Sequence, residues 1–459
     1  MRNPLLVPDL RMMLRDGETE AVREFFGEKP AAELVEVVED LENEEADMVL
    51  KLLDPKVRAE VVSYLDADRQ IQIVETMPPE NAAELLRDMP HDDRADLVNR
   101  LDEDVAEQIL RRMAQAERED IRRLASYEAG TAGAVMTTDY ATLPPHISVR
   151  EAYDRLRREA PERETILTSY VVDHRRHLLG SISLQTLVLA RPTARIEDVM
   201  QTDPISSRVD EDQEEVARKI QQYDLLSLPI VDADDLLVGI VTHDDAMDIL
   251  RQEQSEDLLR FGAVGYDAAE ADETPGEEGI GSSVRRRIGW LLLLFGGGTL
   301  TGLVVRTFGG IESEYEGIKF DAFIPLLIGT GGNAGSQTVG TVIRGLALEE
   351  IVPRRDFFRV LGREALTGLC LGILLAPPGF LFTWLVMGST IAFSLVIAMA
   401  LMGICIWADG IGSMVPMIAR MTRIDPAVVS APMISTLVDA TGLMIFYTIA
   451  TMIHRFLLT

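Results

Sequence analysis

The C-terminal part of the chain holds five long apolar stretches, near residues 288–308, 322–346, 357–386, 390–419 and 428–457. About 20 apolar residues cross the roughly 30 Å core of a bilayer as a helix, and in lipid every backbone polar group must find its partner inside the protein. The pattern therefore predicts an all-α transmembrane domain of five helices over residues 285–459. Ten arginines lie on one side of it: at the start of the first stretch, in the 344–363 connection and at 420–423. Arg306, Lys319 and Arg455 lie on the other. Arg and Lys favour cytoplasmic loops, so the expectation is a multi-pass protein of the cell (inner) membrane, N-terminus cytosolic and C-terminus external. The opening residues, MRNPLLVPDLRMML, lack the apolar run of about 7–15 residues that marks a signal peptide.

The formal net charge of −31 is unevenly placed. Residues 285–459 carry 13 Lys and Arg against 11 Asp and Glu, a net +2, which leaves −33 on residues 1–284. Such a region repels itself and is expected to be looser without counter-cations than with them. The charge argues against nucleic acid as a partner, since phosphate binding needs a basic footprint. A divalent cation fits it. Cys370 and Cys405 stand in apolar stretches, share no metal or disulfide spacing, and read as packing residues.

Residues 41–113 repeat with a period of 12: Leu41, Leu53, Leu65, Met77, Met89, Leu101 and Met113. Six of the seven are followed by an acid or a proline, namely Glu42, Asp54, Asp66, Pro78, Pro90 and Asp102. Asp caps helix starts and Pro suits the first turn, so each unit reads as a turn plus a short helix. Short helices stacked at a fixed period make an α-solenoid, expected to occupy residues 1–130 as an acidic N-terminal domain.

Over residues 131–252 the pattern changes. SVREAYDRLRREA (148–160) precedes strand-like TSYVVD (168–173) and LLGSISL (178–184). DQEEVARKIQQYD (212–224) precedes LPIVD (228–232) and LLVGIVT (236–242), and the pairs Val135-Met136 and Val199-Met200 open the two halves. This tandem α/β duplication, βαββα twice, resembles a CBS-domain pair, a regulatory module that often binds adenine nucleotides or ions. Residues 253–284 read as a linker, or plug, helix that starts at SEDLLRFGAV and runs into a flexible insert at 267–283.

Asp439 carries the chemistry of the apolar part. It stands in PMISTLVDATGLMIFY, with no other charge between Asp425 and His454. A carboxylate at that depth costs at least about 2.5–3.5 kcal/mol on insertion scales, so it should face a bundle interior or a wet cavity. Two readings fit: a protonated acid hydrogen-bonded between helices, and an ion-pathway ligand. A homodimer with its axis on this helix would bring two such carboxylates together. Pro432 and Gly442 in the same stretch, and Gly329-Thr330-Gly331-Gly332-Asn333-Ala334-Gly335 in the second, are expected to loosen their helices and free carbonyls towards a pore; close helix packing is the other use of such glycines. Asn333, Gln337 and Thr436 add neutral oxygens. Oxygen ligands with room for retained water suit Mg²⁺, while soft ligands for zinc or copper are missing. Asp409, in WADGIGSMVP, reads as a second pathway acid or as a capped, helix-end carboxylate. Asp425-Pro426 reads as a helix N-cap with Pro at the first position, and as part of the inner mouth within reach of the ion.

The motifs GTGGNAGSQ (329–337), DPAVVSAPM (425–433) and TLVDATGL (436–443), with YEAGTAGAVMT (127–137) and DQEEVARKIQQYD (212–224), resemble the MgtE family of magnesium channels over nearly the whole chain. The resemblance implies a Mg²⁺-selective homodimeric channel, not an enzyme, with the pore on the two-fold axis and Asp439 as its selectivity-filter carboxylate. It also implies that cytosolic Mg²⁺ bridges acidic faces and shuts the pore. The bridging acids would be Glu60, Asp92 and Asp96 in the solenoid, Glu214, Asp224, Asp245 and Asp248 in the CBS pair, and Glu256 and Asp257 in the linker helix. With Mg²⁺ low, unscreened carboxylates would part the domains and the linker helices would release the pore. Two positions depart from the family pattern: Asp409 stands where the family often carries Asn, and Ala431 where some members carry an amide.

Residues 239–245, GIVTHDD, fit the Gly-h-h-Thr-x-x-Asp pattern with which CBS modules hold a nucleotide ribose, which puts Thr242 and Asp245 forward for ATP as well. The matching stretch Gly180 to Thr186 lacks the Asp. Three rival readings remain at this stage. One is a transporter of broader Co²⁺, Ni²⁺ or Mn²⁺ preference. Another is a non-transporting membrane metal sensor, which leaves Asp439 without a role. The last is an intramembrane aspartyl protease pairing Asp409 with Asp439, which needs Gly-x-Gly-Asp, an order that ADGIG reverses.

Overall fold

We describe a computed structural model of the chain over residues 7–26, 29–160, 163–266, 279–308, 310 and 320–458. It forms two compact units, Met1–Glu253 and Gln254–Thr459, taken here in turn.

The first unit opens with short helices: α1 (Val7–Asp16), α2 (Thr19–Phe26), α3 (Ala31–Glu39), α4 (Asn43–Leu50), α5 (Pro55–Ser63), α6 (Ala67–Thr76), α7 (Pro79–Asp88), α8 (His91–Arg100), α9 (Glu103–Leu110) and α10 (Gln115–Leu124). The 12-residue period has a plain cause. Leu41, Leu65, Met89, Leu101 and Met113 are buried in one core, with Leu53 and Met77 packed against it. The residue after each of the first six is the N-cap of the next helix, and the Asp54 carboxylate accepts the Lys56 N–H at 3.1 Å. One apolar residue closes a turn and its neighbour starts a helix. Each helix then touches the one two along, giving the rows α3-α5-α7-α9 and α4-α6-α8-α10 of a solenoid.

The α/β part follows as β1 (Tyr140–Leu143), α11 (Val149–Glu159), β2 (Thr165–Val172), β3 (Leu178–Ser183), α12 (Leu184–Leu189), α13 (Ile196–Val199) and β4 (Gln201–Thr202). Its second half, which the Val199-Met200 pair opens and which therefore takes in β4, continues with β5 (Ser207–Arg208), α14 (Gln213–Gln222), β6 (Ser227–Val231), β7 (Leu237–Thr242) and α15 (His243–Phe261). The sheets run β1-β2-β3-β4 and β5-β6-β7, each with a parallel first pair and antiparallel remainder. The opening methionines lock the halves together. A Cβ on Gly239 would lie 2.4 Å from the Met136 sulfur, and one on Gly180 2.8 Å from the Met200 sulfur, so each methionine fills the space left by a glycine in the other half. Tyr140 donates its hydroxyl to the Leu237 carbonyl at 3.0 Å, and the Tyr170 and Ser227 hydroxyls bond at 2.7 Å. The opening of the expected linker is the second half of α15, a helix that begins inside the duplicated region.

Among the described residues the second unit contains five long helices: α16 (Ile280–Phe308), α17 (Ile324–Ala347), α18 (Pro353–Leu381), α19 (Ile391–Met421) and α20 (Ala431–Leu458). α16, α18 with the turn that extends it to Val386, α19 and α20 are long and apolar enough to cross a membrane. The 24 residues of α17 are long enough, but Gly, Thr, Asn and Gln make it too polar to qualify alone, so four of the five expected spans stand on their own apolarity among the described residues. α17 packs against α19 and α20. The expectation that its glycines loosen it does not hold. The helix is continuous, and Cβ atoms on Gly331, Gly332 and Gly335 would lie 2.6, 2.3 and 3.0 Å from Ile404, Ser435 and Ile434, so the glycines serve close packing. Pro432 sits in the first turn of α20, where it breaks nothing. Gly368 and Gly372 of α18 meet the backbone of α19 in the same way, a Cβ on Gly368 lying 2.6 Å from the Cys405 carbonyl oxygen. Gly368→Leu is expected to lower the thermal midpoint of the detergent-solubilised protein by several degrees, an overpacking cost of about 1–3 kcal/mol. Most of the expected insert, residues 267–278, and Lys319 lie outside the described residues.

Candidate functional site

Asp439 lies on α20, half-buried, with Oδ1 3.6 Å from the position of a Cβ on Gly332 of α17. Neither oxygen has a hydrogen-bond or ion-pair partner among the described residues. The missing side chain at Gly332 is what lets a carboxylate come this near the α17 backbone. The next residue, Asn333, begins a polar stripe on α17, since Asn333, Gln337 and Thr341 are spaced by four and exposed, with exposed Gly329 one turn earlier. Thr436 lies one turn before Asp439 on α20. Its hydroxyl donates to the Pro432 carbonyl at 2.9 Å, and its methyl fills the space beside Gly297 of α16.

Asp409 is elsewhere. It is fully buried on α19, its Oδ1 accepts the Thr338 hydroxyl of α17 at 3.0 Å, and its Oδ2 is sealed without a partner among the described residues. It stands in the middle of α19, so it is not the capped, helix-end carboxylate of one reading, and its bond to Thr338 ties α19 to α17. Asp425 takes the cap position expected of it: Oδ1 accepts the Ala427 N–H at 2.8 Å at the start of a short turn with Pro426 first. Its Oδ2 meets Arg260 Nη1 at 2.5 Å, and Arg260 also pairs with Glu256.

The acids of the first unit divide into groups. Ala95 of α8 shares a core with Ala246 and Ile249 of α15, and Asp92 and Asp93 lie in the field of Asp245, with Asp96 beside Asp93 and with Asp244 and Asp248 beside Asp245. Glu60 and the exposed Tyr64, at the end of α5, lie in the same field, and burial with Glu60 and Asp244 raises the Tyr64 hydroxyl above its ordinary pKa. Asp92 is held well above the carboxylate range by burial and by Asp93 and Asp245, and its Oδ1 has no hydrogen-bond partner among the described residues. Asp93, not anticipated from sequence, is pushed up to about 7 by burial and by Asp245 and Asp96. Burial also raises Asp245, although the Thr242 hydroxyl donates to its carboxylate. Protons are thus held where a cation would be welcome. Beside this cluster, Asp120 is pulled strongly down by His91, Thr138 and Arg94, with Arg94 at 2.9 Å and the Thr138 hydroxyl at 2.9 Å. That network joins α8 and α10 to the loop before β1.

Glu214 and Asp224 are apart from that cluster. Glu214 pairs with Arg218 at 2.6 Å, and Gln213 next to it donates to Glu253 at 2.7 Å. Asp224 is exposed just after α14, with a φ of 51°. Asp257 is half-buried on α15. Among the described residues no three His, Cys, Asp or Glu side chains converge at direct-ligand spacing. Asp93, Asp244 and Arg260 escaped the sequence reading; the only signal was their place beside Asp92, Asp245 and Phe261 in otherwise ordinary helical runs.

Four regions match three known families: residues 29–130 the MgtE intracellular N domain, 132–192 and 196–252 the CBS domain, and 324–449 the divalent cation transporter MgtE. The chain is 37% identical over 454 residues to the magnesium transporter MgtE of Thermus thermophilus, covering 98% of both. It is 36% identical over 343 residues to that of Enterococcus faecalis, covering 74% of this chain and 73% of the relative. Among solved structures, the soluble part of a magnesium transporter matches at 33% identity and a TM-score of 0.51, over 54% of this chain and 97% of that one. The cytosolic domain of the Mg²⁺ channel MgtE in complex with ATP matches at 36% identity and 0.50, over 52% and 98%. With four apolar helices of membrane-spanning length and a relative this similar along nearly its whole length, the chain is a membrane protein of the MgtE family, whose members are transporters and not enzymes.

Proposed function

We propose that this chain is a homodimeric Mg²⁺ channel in which Asp439 contacts the passing ion and in which cytosolic Mg²⁺, bound between acidic faces, closes the pore. The observation that carries the reading is Asp439 itself: a carboxylate on a membrane-length helix, set against glycine backbone, with no partner among the described residues. An acid so placed is costly unless a cation meets it. Exposed Asn333 and Gln337 next to it suit an ion that keeps much of its water, and a second copy related by an axis near α17 would place two stripes face to face. The relatives' names, magnesium transporter in each case, favour Mg²⁺ over Co²⁺, Ni²⁺ or Mn²⁺. The arginine distribution favours a cytosolic N-terminus and an external C-terminus.

Gating rests on the acids of α8 and α15. Hydrated Mg²⁺ can bridge them through its water, so direct-ligand spacing is not needed. ATP is a second ligand on this reading, supported by the ATP complex of the similar cytosolic domain and by the Thr242–Asp245 bond. The deciding test is Mg²⁺ uptake into proteoliposomes with internal Mg²⁺ varied and with Co²⁺ and Mn²⁺ as competitors. Absence of uptake leaves only the sensor reading. In chelator, the full-length protein is expected to be cleaved within residues 1–260 several-fold faster than in Mg²⁺, and equal rates would count against metal bridging.

A further inference from the structure

We infer that Arg260 is a built-in counter-cation that holds the end of α15 on the transmembrane bundle without a metal ion, bridging Glu256 and Asp425 itself. The inference rests on the gating reading above, but it reassigns two of the acids the sequence set aside for Mg²⁺.

The guanidinium spans two carboxylates from different elements. Nη1 meets Asp425 Oδ2 at 2.5 Å, in the connection between α19 and α20, and Nη2 meets Glu256 one turn back on α15. Asp425 is already oriented by capping Ala427 through its other oxygen at 2.8 Å, so both its oxygens are committed. Glu256 and Arg260 stand four residues apart with the acid first, the favourable order, and Arg260 lies in the last turn of α15, where the helix dipole favours a cation. The pair is neither dry nor fully wet, with 37% of the Arg260 side chain and 36% of Asp425 exposed against 17% of Glu256.

Neighbouring contacts put the same helix end in register. Phe261 packs on the core that includes Ala334, Val339, Val429 and Val438, with its ring edge 3.5 Å from a Cβ built on Gly340. Ala263, at a φ of 57°, ends the helix, and the Gly265 N–H donates to the Arg286 carbonyl of α16 at 2.9 Å. Fork-shaped and permanently charged, a guanidinium joins two carboxylates at any Mg²⁺ concentration. Without it, Glu256 and Asp425 would face each other as like charges, and only an added cation would bring them together. Arg260 is therefore a positioning residue: it sets how much of the closed contact is independent of Mg²⁺.

The test uses the full chain in nanodiscs, following amide exchange across residues 256–265, and the same variants in proteoliposome flux. In chelator the wild type is expected to exchange slowly there. R260Q should exchange about fivefold faster, the upper order for a half-exposed pair, and Mg²⁺ should restore protection. D425N keeps the cap but loses the charge and should match R260Q; R260K should stay near wild type. Because the two changes break one contact, R260Q/D425N should be no faster than either single variant. In flux, R260Q should need about fivefold more Mg²⁺ to close. Wild-type-like exchange of R260Q in chelator, or effects of R260Q and D425N that add, overturns the inference. Should R260Q fail to assemble, D425N against R260K decides by the same exchange readout. A wild type that Mg²⁺ never closes defeats the gating reading instead, and one that closes at the same Mg²⁺ as R260Q defeats only the latch.

Discussion

Asp439→Asn is expected to lower Mg²⁺ flux by about 100-fold while leaving the protein assembled. The substitution keeps shape and removes charge, so it isolates the electrostatic contribution. An ion of charge +2 entering a low-dielectric bundle loses solvation, and a carboxylate a few ångströms away offsets that loss by several kcal/mol. Each 1.4 kcal/mol is tenfold, so losing about 3 kcal/mol gives the factor stated. Nothing in the packing opposes the change: Asp439 faces the backbone at Gly332 and has no partner among the described residues to strand. Asp409→Asn is the matched control. Its Oδ1 accepts from Thr338 inside a sealed α17–α19 contact, and an amide oxygen accepts that bond equally well. Flux through Asp409→Asn should stay within about twofold of wild type, since a hydrogen bond is kept and no ion is met. Uptake measured on both variants, with size-exclusion profiles to verify assembly, separates the two acids. Flux above half of wild type in Asp439→Asn would show that the ion does not depend on that charge.

Much of this was legible because it obeys local rules. The 12-residue period could be read because one apolar core residue and one capping residue recur together, as Leu65 and Asp66 do at the start of α6. Duplication could be read in the two Val-Met pairs, though not that each methionine packs on the other half's glycine; that exchange is a property of the assembled sheets. The glycines of α17 stand under two readings for a related reason. A glycine run can loosen a helix or admit a neighbour, and only the positions of Ile404, Ser435 and Ile434 decide. Asp409 carries a comparable ambiguity, and its bond to Thr338 from the middle of α19 is a contact that spacing alone does not show. The pairing of Arg260 with Asp425 was invisible for the strongest reason, since the two lie 165 residues apart and nothing periodic links them. What sequence cannot show is which of many acids face each other. Asp93 became distinct from the other acids of 1–284 only when Ala95 was found in one core with Ala246.

Replacing Asp92, Asp93 and Asp245 together by Asn is expected to flatten the dependence of flux on cytosolic Mg²⁺. In the wild type the α8 and α15 acids are held close by the packing of Ala95 against Ala246 and Ile249, so closure sets like charges together in a half-buried space. Either protons or a dication must neutralise them, and the raised Asp93 and Asp245 reflect the proton alternative. The sign follows from linkage. A carboxyl whose pKa rises from the usual 3.8 to about 7 binds more protons in the packed state than in the open one. Without metal, the packed state is therefore most stable at low pH and loses stability as pH rises through about 7. Protection of residues 1–260 from protease in chelator should accordingly be greater at acidic than at alkaline pH, and added Mg²⁺ should matter most on the alkaline side. The triple Asn variant removes both the repulsion and the ligand charge, while an amide at 245 still accepts from Thr242. Its protease protection should lose its pH slope, and its flux should differ less than about twofold between chelator and millimolar Mg²⁺, since neutral pairs contribute little to either state. A variant that still closes steeply with Mg²⁺ would place the sensing charge elsewhere, with Glu214 beside Glu253 the next group to neutralise.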